Sequence, residues 1–91
     1  MARKDLTPSQ IEAMIIYRLA RRGAWGEAYM PKDTLIRRLA RKIKNNGKNV
    51  RRVVNSLIRE GFLLSHKGGR TISLNPSKKN EILLRVSEIL P

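Results

Sequence analysis

The apolar pattern changes period at Gly61, and this change does most to limit the folds open to the chain. Before it, Val50, Val53, Val54, Leu57 and Ile58 recur at the three-and-four spacing of an amphipathic helix. After it, residues 62–65 and 71–74 form two short β-prone runs. Between them stands His66-Lys67-Gly68-Gly69-Arg70, whose Gly-Gly pair permits a tight hairpin turn. A helix that runs straight into a hairpin implies a mixed α+β domain.

The rest of the chain is punctuated as clearly. Thr7 followed by Pro8 and Gln10 has the spacing of a capping box, and Ile11, Met14, Ile15 and Leu19 recur at helical spacing up to Gly23. This predicts a helix over 8–22, with Arg21 and Arg22 favouring its C-terminal dipole. Tyr29 and Met30 suggest a short strand before Pro31. Pro31 and Asp33 then start a second helix, whose apolar stripe is Leu35, Ile36, Leu39, Ala40 and Ile43. After Lys44-Asn45-Asn46-Gly47 a third helix is expected over about 47–60, with Asn46 as N-cap and Gly61 as its stop. A last helix begins near Asn75 or Ser77 and carries Ile82, Leu83, Val86, Ile89 and Leu90 on one broad face, with Leu84 turned away.

At 91 residues the chain is read as one domain: a tail (1–7), a core (8–75) and the last helix (76–91). A chain of this size buries only about 60% of the surface its unfolded form exposes. Its core is therefore thin, and self-association is one source of added stability. The absence of cysteine excludes disulfides, thiolate metal sites and cysteine nucleophiles. No leading apolar run or membrane-length apolar stretch is present, so a cytoplasmic protein with no membrane contact is expected. No Gly-rich phosphate loop, nucleophile elbow or carboxylate pair is found. His66, the only histidine, has no local partner for acid–base or metal chemistry. Neither an enzyme nor a bound cofactor or metal is expected.

Charge decides the class of partner. Twenty Lys and Arg against seven Asp and Glu give a formal charge of +13, which attracts polyanions. Between 32 and 52 there are nine basic residues and one acidic residue, Asp33. On the third helix, at about 100° per residue, Lys48, Arg52, Asn55 and Arg59 lie opposite the apolar side, flanked by Asn49 and Arg51. Arginine forks onto guanine and asparagine onto adenine, so this face has the chemistry of base reading. A solvated helix face is the plain alternative. Lys32, Arg37, Arg38, Arg41, Lys42 and Lys44, before and within the turn, suit phosphate contacts that position without reading sequence. His66, Lys67 and Arg70 make the hairpin basic. Trp25 and Tyr29 are expected to help cover the small core, since the chain has only four aromatic residues.

Leu39-Ala40, Val50, Leu57, Gly61 and Phe62-Leu63 fall, without a gap, at the spacing of the winged helix-turn-helix domains of small prokaryotic, archaeal-type transcription regulators. The chain resembles that family over about 8–75. It departs from the family at Lys44-Asn45-Asn46, where a glycine or an apolar residue is usual. The resemblance implies an α+β winged helix with a three-helix core, a β-hairpin wing and an added C-terminal helix. It implies double-stranded DNA as partner, with the third helix in the major groove, the second helix on phosphates, the wing alongside and transcription regulation as the role. An RNA-binding winged helix of ribosomal type and a non-specific architectural chromatin protein are the alternatives. The last helix is read as a homodimer interface built with the first helix, or else as packing back on its own domain.

Overall fold

The structure, a computed structural model, describes residues 6–41 and 46–89. Four helices and a three-stranded antiparallel sheet follow in the order α1 (Pro8–Arg21), β1 (Met30–Pro31), α2 (Lys32–Ala40), α3 (Asn46–Arg59), β2 (Leu63–His66), β3 (Thr71–Leu74) and α4 (Lys79–Ile89). The turn residues 42–45, with Ile43 and Lys44, lie outside the described residues.

Helix α1 opens on the expected capping box. The Thr7 hydroxyl accepts the Gln10 amide at 3.2 Å, and the Gln10 side-chain oxygen accepts the Thr7 amide at 2.9 Å. Such a box is worth about 1 kcal/mol. Helices α1 and α3 end alike. The Ala24 amide donates to the Leu19 carbonyl at 2.9 Å, with Gly23 at φ 66°, and the Phe62 amide donates to the Leu57 carbonyl at 3.0 Å, with Gly61 at φ 83°. Both are Schellman endings, in which a left-handed residue turns the chain back so that orphan carbonyls are satisfied. Each delivers an apolar residue, Ala24 or Phe62, into the core.

The sheet has the order β1-β3-β2. Leu63 pairs with Leu74 and His66 with Thr71, while Met30 pairs with Ile72. Pro31 is tolerated because β1 is an edge strand and gives up no central hydrogen bond. Leu63, Ile72, Leu74 and Met30 face the helices and are buried. They meet Ile11, Ile15, Ile16 and Leu19 of α1, Leu35, Ile36 and Leu39 of α2, and Val50, Val54 and Leu57 of α3. The hairpin tip is a single 3-10 turn, Lys67–Gly69, with all three residues at positive φ. Only one of these, Lys67, carries a side chain, which explains the Gly-Gly that follows.

The chain after β3 does not enter α4 directly. Asn75 caps a short 3-10 turn, Pro76–Lys78, by accepting the Ser77 amide at 3.1 Å. Its side-chain Nδ2 also donates to the Gly61 carbonyl at 2.8 Å, tying this corner to the end of α3. Helix α4 then packs on α1 of the same chain, with Ile82 fully buried and Val86 against the core. Arg85 bridges Glu12 at 2.6 Å and Glu60 at 3.3 Å, and its guanidinium lies 4.4 Å from the centre of the Phe62 ring. The hydrogen bond to Glu12 holds this guanidinium above its ordinary pKa. Helix α4 therefore packs back on α1 within its own chain. Leu83, expected on the inward face with Ile82, is 47% exposed, and Leu84 is 60% exposed. Among the described residues no helix is long and apolar enough to cross a membrane.

Candidate nucleic-acid interface

Helix α3 buries Val50, Val53, Val54 and Leu57, which fixes what it shows to solvent. Lys48, Arg51, Arg52, Asn55 and Arg59 are all exposed and run the length of the helix. No acidic side chain interrupts α3. Asn49 is only half-buried and sits with Arg52 in a shallow groove against the start of α1, beside Leu6, Pro8 and Glu12.

Three elements meet at one edge of this stripe. The Lys32 ammonium, at the start of α2, donates to the Asn55 side-chain oxygen at 3.1 Å. The Lys32 amide donates to the Arg70 carbonyl at 2.9 Å, which anchors the tip of the β2–β3 hairpin to the same point. One turn away on α3, Arg51 stands 4.0 Å from Asp33. Both of those side chains are largely exposed, so the pair contributes little to stability and is easily exchanged for another anion. Arg37 borders the same shallow depression, with Asp33, Ile36, Ala40 and Arg51. Arg41, at the end of α2, is exposed. Lys32, Arg37, Arg51, Asn55 and the hairpin tip at Arg70 are therefore brought together, far apart in sequence though they are.

Other residues grouped with these by sequence are placed elsewhere. Arg38 is turned to the opposite side of α2, towards α1, where it shares a groove with Arg18, Arg21 and Arg22. It is one residue from Arg37, and successive residues differ by about 100° around a helix. His66 and Lys67 belong to the sheet face turned away from the helices. The Ser73 hydroxyl donates to the Gly26 carbonyl at 2.7 Å, so its one proton is committed. His66 Nε2, 3.0 Å from the same oxygen, is therefore the donor in that contact. The His66 ring lies against Tyr29, centroids 5.0 Å apart, and the Lys67 ammonium is 5.1 Å from the Tyr29 ring centre. Tyr29 thus does not cover the core, as the small number of aromatics suggests. It stands on the outer face, 39% exposed, while Trp25 does pack against the core. Among the described residues no three histidine or carboxylate side chains gather as metal ligands would.

Sequence reasoning missed the arginines of α1. Their spacing at 18, 21 and 22 puts them on one side of the helix, but Arg21 and Arg22 were accounted for by the helix dipole alone. No family model, curated protein or solved structure matches the chain.

Proposed function

We propose that the protein binds double-stranded DNA as a winged helix, with α3 as its recognition helix, and that it regulates transcription without performing chemistry. The observation that supports this most is the Lys32 junction. One lysine joins the outward face of α3, through Asn55, to the tip of the hairpin, through the Arg70 carbonyl. A recognition helix flanked by a basic wing needs such a joint. Arg52, Asn55, Lys48 and Arg59 would face base edges in the major groove. Lys32, Arg37, Arg41 and Arg51 would hold the phosphates on either side. Arg70 is the wing residue nearest this surface. His66 and Lys67, the other basic residues of the wing, lie against Tyr29. A homodimer paired through α4 and α1 would use the exposed Leu83 and Leu84.

The charge makes a quantitative demand. Neutralising about six phosphates gives a plot of log affinity against log salt with a slope of about −5. Fluorescence anisotropy of a labelled duplex across a salt series measures it. A flat response would contradict any polyanion partner.

One observation favours RNA as a second reading. Tyr29, stacked with His66 beneath Lys67, offers an open aromatic and basic surface of the kind on which unpaired bases stack. On that reading single-stranded RNA competes better than duplex DNA at equal salt, and Tyr29→Ala removes the advantage.

A further inference from the structure

The arginines between α1 and α2 form a second basic surface that the α3 face does not use. Arg18, Arg21 and Arg22 of α1 and Arg38 of α2 line a groove of about 530 Å³ together with Met14 and Tyr17. Arg18, Arg22 and Arg38 also surround a smaller recess walled by Met30 and Leu35. Among the described residues none of the four is ion-paired to a carboxylate, whereas Arg51, Lys78 and Arg85 each are. Arg21 instead donates to the Tyr17 hydroxyl at 3.4 Å, with its guanidinium 5.8 Å from that ring's centre.

Four like charges crowded into one groove repel each other. The α1 dipole offsets part of this for Arg21 and Arg22, which stand at its C-terminal end. It does nothing for Arg38, which comes from another helix. An anion in the groove removes the repulsion. Guanidinium forks fit phosphate oxygens in pairs, so phosphate is the anion best matched. Tyr17, which also lines the groove, is 48% exposed, and an aromatic face stacks on a base.

We propose that the groove between α1 and α2 binds a nucleotide, its phosphates held by Arg21, Arg22 and Arg38 and its base against Tyr17. The site lies on the side of α2 away from Arg51 and does not depend on the DNA-binding reading.

Calorimetric titration of the full chain with ATP, and separately with tripolyphosphate, tests it. Arg21 and Arg38 are exposed, so R21A/R38A is expected to keep the wild-type melting curve. It should weaken ATP binding at least tenfold, as expected for about two lost charged hydrogen bonds, while R52A stays within about twofold of wild type. Tyr17→Ala should weaken ATP and leave tripolyphosphate unchanged. Unaltered ATP affinity in R21A/R38A, or an equal loss in R52A, would overturn the site. An unchanged ratio of ATP to tripolyphosphate affinity in the Tyr17 variant would overturn the nucleotide assignment. So would a groove substitution that alters duplex DNA binding while neither ATP nor tripolyphosphate binds at all.

Discussion

Arg52→Ala should weaken binding to a preferred duplex by roughly 10- to 100-fold and binding to random duplex far less, since a bidentate base contact carries about 1–3 kcal/mol of discrimination. Arg52 is the arginine best placed for this role. It points almost directly away from the buried Val50, Val54 and Leu57, at the centre of the exposed stripe. Arg51 sits towards α2, beside Asp33, where a duplex would present phosphate. The comparison variant is Arg37→Ala, on the α2 side of the same surface. Loss of a phosphate contact lowers affinity for every sequence alike and reduces the salt slope by about one. Equal losses from Arg52→Ala on preferred and random duplex would undo this division between reading and positioning. Competition binding with both duplexes at one salt concentration decides it.

Leu57→Ala should have the largest effect on stability. Leu57 is fully buried beneath α3, and its carbonyl receives the Phe62 amide that ends the helix. Removing a buried leucine side chain costs about 2–5 kcal/mol, the transfer energy plus the cavity left behind. Domains of this kind have only about 5–15 kcal/mol in total. At about 4–8 °C per kcal/mol, the midpoint of thermal unfolding should fall by roughly 10–30 °C. Leu84→Ala, on the exposed side of α4, should change stability by no more than about 0.5 kcal/mol. Thermal melts followed by circular dichroism measure both. A loss below about 1 kcal/mol at Leu57 would mean that α3 is not held as described.

The elements were legible where local chemistry decides them. The capping box at Thr7, the glycine endings at 23 and 61, and the change of period after Gly61 each rest on residues within one or two turns of each other. They place α1, α3 and the hairpin within a residue or two of the structure. The start of α4 was less clear, because Asn75 caps a short 3-10 turn before the helix begins. What the sequence could not show is which side of a helix meets which neighbour. Arg37 and Arg38 look equivalent in sequence, yet they part because Arg37 lies on the side of α2 that faces α3 and Arg38 on the side that lines a groove with Arg18, Arg21 and Arg22. The scarcity of aromatic residues points Tyr29 to the core. Its position just before an edge strand puts it on the outer face instead. Arg85 carries no local signal at all, since Glu12 and Glu60 reach it from 73 and 25 residues away. The departure at Lys44-Asn45-Asn46 falls at the edge of the residues the structure describes.

The central claim is that the outward face of α3 reads duplex DNA. Selection from a pool of randomised duplexes, run beside a randomised RNA pool at the same salt, tests it most directly. The account predicts that a single short duplex motif is enriched, that it survives excess competitor DNA, and that Arg52→Ala abolishes the enrichment. Enrichment from the RNA pool alone, or recovery of duplexes with no shared motif, would contradict it.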